Sequence, residues 1–157
     1  MKRYRKSISI LIVVLLILGA IGLSIYKNQD NAKKINSFTE LYNKHFDTRE
    51  VTSILLEERG TFKPQRDLFV KHKEKIDKVI NLFSQIEWKY DKNATPSSEK
   101  AYQITLSFGN ELIFAMMVSD NGAVDTFDYA TNKGHSYRIT NEFDVNAIEL
   151  LFEIESD

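Results

Sequence analysis

The sequence predicts an α+β chain: an N-terminal transmembrane helix, then a two-layer domain in which an antiparallel β-meander packs against a long helix and a C-terminal helix. Three observations predict it. Residues 7–26 are 20 consecutive residues without a charge. Apolar side chains recur at helical steps from Phe69 to Ile86. Between residues 101 and 140, apolar and polar residues alternate in runs separated by Gly- and Asn-bearing turns. Helices segregated from an antiparallel sheet define the α+β class. The expected division is a basic segment and signal-anchor at 1–26, a stalk at 27–34 and an extracytoplasmic domain at 35–157.

The run SISILIVVLLILGAIGLSIY, at about 1.5 Å per residue, would reach about 30 Å, the thickness of a bilayer's hydrocarbon core. Lys2, Arg3, Arg5 and Lys6 precede it. Positive charge stays on the cytoplasmic side, so a single-pass chain with an exported C-terminal domain is expected, its residues 7–26 in the lipid bilayer. The alternative is a secreted domain released by signal-peptide cleavage, since Ala20-Ile21-Gly22 is a small-x-small pattern.

The domain elements follow in order. Ile35, Phe38, Leu41, Tyr42 and Phe46 space as a short amphipathic helix. Residues 51–58 (VTSILLEE) are β-branched and apolar, a first strand ending at Arg59-Gly60. Asp67 suits an N-cap. Phe69, His72, Ile76, Val79, Ile80, Phe83 and Ile86 then form the stripe of the long helix, with His72 as a boundary or core residue. Residues 88–91 read as a short strand and 93–98 (NATPSS) as a loop. Tyr102, Ile104, Leu106 and Phe108 alternate with polar or small residues, giving one buried face. Gly109-Asn110 turns the chain into 111–119, which is apolar on both faces and so central. Two further strands cover 123–129 and 135–140. Asn141 is placed to cap a last helix carrying Phe143, Ala147, Ile148, Leu151 and Phe152.

Composition narrows the function classes. The chain has no cysteine, which excludes disulfides, thiolate zinc sites, a cysteine nucleophile and a lipid-modified N-terminal cysteine. Residues 93–157 hold 3 basic and 11 acidic side chains and would repel phosphate, so no nucleic-acid partner is expected. His45, His72 and His135 match no zinc spacing. Asp120, Asp125 and Asp128 are the densest carboxylates. Their spacing departs from the EF-hand pattern and reads as turn chemistry with outward polar residues. Asp125 and Asp128, three apart on a strand, are expected on opposite faces. No catalytic residue, metal ligand or cofactor site is expected. Lys63, Arg66, Lys71, Lys73, Lys75 and Lys78 gather on or before the long helix as a candidate basic contact surface for anionic lipid or wall polymer. Asp67, Glu74 and Asp77 are interleaved with them as ion-pair partners.

The basic start MKRYRK, the cysteine-free apolar run and the Lys-, Glu- and Asn-rich remainder resemble the small uncharacterised single-pass or secreted proteins of bacilli and related Gram-positive bacteria. The resemblance lies in layout and implies an envelope location. The expected function is a non-catalytic protein-interaction module of the cell envelope with an envelope protein partner. The alternative is a ligand-sensing or polymer-binding domain.

Overall fold

The computed structural model describes residues 13–19, 34–60, 65–97 and 99–154. The chain divides into two compact units, Met1–Lys34 and Ile35–Asp157. In the first, residues 13–19 are helical. The expected transmembrane helix is corrected here. Among the described residues no helix is long and apolar enough to cross a membrane. Residues 7–12 and 20–26 of that expectation lie outside the described residues, as do Lys2, Arg3, Arg5 and Lys6.

In the second unit the elements run α1 (Phe38–Phe46), β1 (Ser53–Arg59), β2 (Asp67–Val70), α2 (Lys73–Phe83), β3 (Trp88–Tyr90), β4 (Ala101–Phe108), β5 (Glu111–Ser119), β6 (Ala123–Asp128), β7 (Lys133–Ile139) and a 3-10 helix, η1 (Val145–Glu153). The strands form one seven-stranded sheet of order β2-β1-β4-β5-β6-β7-β3, and every pair in it is antiparallel. The period-two pattern sorts its faces. Ile54 and Leu56 of β1, Ile104 and Leu106 of β4, Phe114 and Met116 of β5, and Tyr137 of β7 are buried on one face. α1 lies over it: Phe38 meets Phe114 at 6.2 Å and Phe83 of α2 at 5.8 Å between ring centroids. Phe152 of η1 covers Tyr102 at 6.2 Å.

Ser37 caps α1 by accepting from the Glu40 amide, and Glu40 returns a carboxylate oxygen to the Asn36 amide, a capping box shifted by one residue. The chain before α1 is fastened to the far edge of the sheet. The Trp88 indole donates to the Ile35 carbonyl at 3.1 Å, and the backbone pairs Phe38 with Ile86 and Trp88 with Asn36.

Three sequence expectations change. The long helix is shorter than its stripe: residues 67–70 instead form β2, paired with β1. Leu68 and Val70 alternate into the core while Asp67 and Phe69 stay out, and over four residues this period competes successfully with the helical one. Asp67 therefore caps nothing, and His72 is an exposed N-cap without a side-chain cap bond rather than a stripe residue. The last helix is 3-10 rather than α. Its buried residues Val145, Ile148 and Leu151 recur every third position, the repeat of a helix with three residues per turn. Asp144 caps it. Asn141 instead bridges back to the end of α2, accepting from the Glu87 amide at 3.0 Å and donating to the Gln85 carbonyl at 2.7 Å.

Candidate functional site

The helix-free face of the sheet is not flat. Register aligns Glu57, Gln103, Met117, Asp125 and Ser136 in one row across β1, β4, β5, β6 and β7. The next row holds Leu55, Thr105, Ala115, Phe127 and Gly134. The β4 to β7 part of these rows (Gln103, Ala115, Met117, Asp125, Phe127, Gly134 and Ser136), with Tyr129, lines a hollow of about 450 Å3. Ala115 and Gly134 are small enough to leave the space open. A Cβ added at Gly134 would stand 3.2 Å from the Thr126 carbonyl oxygen and 3.8 Å from the Phe127 ring. Among the described residues, no helix contributes to the lining, and the lining contains no lysine or arginine.

The hollow has an apolar wall and a polar one. Phe127 and Tyr129 stand edge to face at 5.1 Å, each more than a third exposed. Opposite them are Gln103, Asp125 and Ser136. The Gln103 amide nitrogen is turned toward Glu57 Oε2 at 3.3 Å and Thr105 Oγ1 at 3.5 Å. Asp125 Oδ1 is buried, and no described protein group hydrogen-bonds it. Leaving such an oxygen without a partner costs about 1–3 kcal/mol.

The Tyr102, Ser119 and Tyr137 hydroxyls are also buried without a hydrogen-bond partner among the described residues, whereas several charged groups of the sheet are paired. Glu57 holds Arg59 at 2.6 Å. Arg138 holds Asp91 at 3.2 Å; the Asn93 amide, then Arg138, keeps the Asp91 carboxyl below its ordinary value. Buried Glu58 accepts from Arg66 Nε at 2.5 Å. Arg66 also lies 4.8 Å over the Phe152 ring, so this residue fastens η1. Glu149 of η1 takes Lys100 at 2.6 Å, which holds the lysine above its usual range.

On the covered face, His45 Nε2 stands 3.9 Å from Asp128 Oδ2, and its ring lies 5.2 Å from Phe114. Burial lowers the His45 pKa, with Asp128 opposing. Burial also lowers that of His135, helped by Lys44 and Lys133. Burial pushes the Tyr137 phenol up to about 12. Among the described residues, no three His, Cys, Asp or Glu side chains converge as a metal site.

Compared with known proteins, the chain matches no family model, no curated protein and no solved structure.

The residues expected to form a basic surface are distributed as follows. Lys63 lies outside the described residues. Arg66 is committed to Glu58 and Phe152. Lys71 sits 5.0 Å over the half-exposed Phe69 ring. Lys73 reaches Glu50 at 3.6 Å. Lys71 and Lys73 share a small depression with Glu50 and Asp77, so its charge is mixed. Lys75 is half-buried and Lys78 exposed on α2. Sequence reasoning missed the hollow, because register between separated strands assembles it. One signal was present: Ala115, Met117 and Phe127 put apolar side chains on the face opposite the core residues of β5 and β6.

Proposed function

We propose that the domain is a non-catalytic binding module acting outside the cytoplasm, and that the hollow on the open face of its sheet is where it binds. The observation that carries this is the hollow itself: a concave site between four strands, apolar on one wall and polar on the other. Small-ligand sites have this character, with volumes of roughly 300–1,000 Å3 and a few placed polar groups. A protein partner would call for a broad face of about 800 Å2. The hollow therefore favours ligand sensing over the protein-interaction reading. The paired and mixed charges around α2 lend less support to polymer or anionic-surface binding.

A non-catalytic role is supported by the chemistry of the hollow. His135 lines the hollow, but it alternates with Thr126 to the covered face, and Asp125, cross-strand from Ser136, has its buried oxygen unbonded rather than holding the Ser136 hydroxyl. Export is supported by the order of the sequence, four basic residues and then an uncharged run.

The test is native mass spectrometry of the full chain isolated gently from its own cells, beside a Gly134→Leu variant that fills the hollow. A bound species of small-molecule mass on the natural chain, absent from the variant, is the expected result. A species retained by the folded variant would remove the hollow from the proposal.

A further inference from the structure

We propose that the ligand of the hollow is a small organic ammonium: a charged primary or secondary amine on an apolar body. This rests on reading the hollow as the binding site and names the chemistry it selects.

Three carboxylates lie on or beside the open face in this part of the sheet. Glu57 has Arg59 at 2.6 Å and Asp91 has Arg138 at 3.2 Å. Asp125, between them in the sheet, has no cation and no hydrogen-bond donor among the described residues, and it lines the hollow. The torsion that orients a carboxylate is soft and two-fold, so either Asp125 oxygen can turn toward a ligand. Gln103 reinforces this polarity. Its amide nitrogen is directed away toward Glu57 and Thr105, which leaves the amide oxygen as its acceptor. The polar wall thus offers a carboxylate and an amide oxygen as acceptors beside the Ser136 hydroxyl, which can donate or accept, and this favours an occupant that brings donors.

The opposite wall suits a positive charge as well. The faces of Phe127 and Tyr129 attract cations through their ring quadrupoles. Met117 and Ala115 offer an apolar floor for a carbon body. Among the described residues, the lining has no lysine or arginine to receive an anion. The requirement for N–H donors separates primary and secondary ammonium from quaternary ammonium, which could use the rings alone.

The test uses the full chain, with the Met117 methyl followed by NMR, and three probes: n-hexylammonium chloride, 1-hexanol and tetramethylammonium chloride. Hexylammonium is expected to shift the methyl at concentrations where the other two do not. Asp125→Asn keeps the shape and removes the charge, and it is expected to weaken hexylammonium at least about ten-fold. Asp128→Asn makes the same charge change on the opposite face and is expected to bind as the natural chain does. A Phe127→Leu variant, expected to bind about three-fold or more weakly, serves if Asp125→Asn does not fold. Equal binding of hexylammonium and hexanol, or no loss in either variant, overturns the ammonium assignment. If native mass spectrometry still finds a ligand that Gly134→Leu loses, the binding-site reading survives that failure. If neither experiment detects binding, both readings fall.

Discussion

Asp125 and Asp128, both on β6, serve opposite faces of one sheet: Asp128 meets His45 at 3.9 Å beneath α1, while Asp125 lines the open hollow with one oxygen buried and unpaired. The two residue types are the same, but their surroundings set different behaviour.

His45 is held toward its neutral form by burial, and Asp128 works against that. Asp128→Asn removes the opposing charge, so the His45 pKa is expected to fall further. An NMR titration of the His45 ring checks this; an upward movement would mean that Asp128 does not favour the charged imidazole.

His45 and His135 both have pKa values lowered from 6.5 in the fold. The unfolded chain then binds protons more readily than the native one, so acid favours unfolding. This contribution to stability is complete above about pH 6.5 and is lost as pH falls through the lowered native values. Urea midpoints compared at pH 7.5 and pH 5.5 are expected to fall with acid, and to fall less in the His45→Gln and His135→Gln variants.

Glu58 is 4% exposed and Arg66 45% exposed across their ion pair. Removing the two partners should therefore differ in cost. Arg66→Ala strands a buried carboxylate and is expected to cost about 2–3 kcal/mol, below the range for a fully buried pair because Arg66 is solvated. Glu58→Gln leaves an arginine that water can reach and is expected to cost about 1 kcal/mol. Chemical denaturation of both variants decides it, and equal losses would contradict the asymmetry.

Gly60 follows β1 where the chain passes the Glu99 backbone. A Cβ there would lie 2.7 Å from the Glu99 carbonyl oxygen, too close for a rigid neighbour. Gly60→Ala is expected to destabilise by about 1–3 kcal/mol, read as a lower urea midpoint at unchanged slope.

Phe38 is fully buried and its ring meets Tyr42, Phe83 and Phe114. It ties α1 to both α2 and the sheet. Phe38→Ala is expected to cost about 3–5 kcal/mol, and calorimetry should show either a greatly lowered transition or none.

The meander was legible because its turns are local. Gly109 and Gly122 adopt φ values of 59° and 75°, and flanking residues alternate cleanly. β2 was hidden because four residues cannot separate a period of two from one of 3.6 when a real helix follows directly. The 3-10 character of η1 was hidden because Ala147 and Phe152 complete an α-like stripe, whereas the buried residues recur every third position. The hollow depends on how far each strand slides against the next. Gln103, Met117, Asp125 and Ser136 become neighbours only once that alignment exists.

β3 precedes the meander in the chain but pairs with β7, the last strand to be made. Trp88–Tyr90 must therefore wait, without its ladder, until the four strands of the meander are in place. The segment before α1 waits with it, because Asn36 and Phe38 bond to the chain flanking β3. Closing such long loops is slow relative to hairpin formation. A nascent chain of this sequence is thus committed to a late clasp, and one interrupted before Lys133 would lack the Tyr137 ring that stands 5.3 Å from the Trp88 indole.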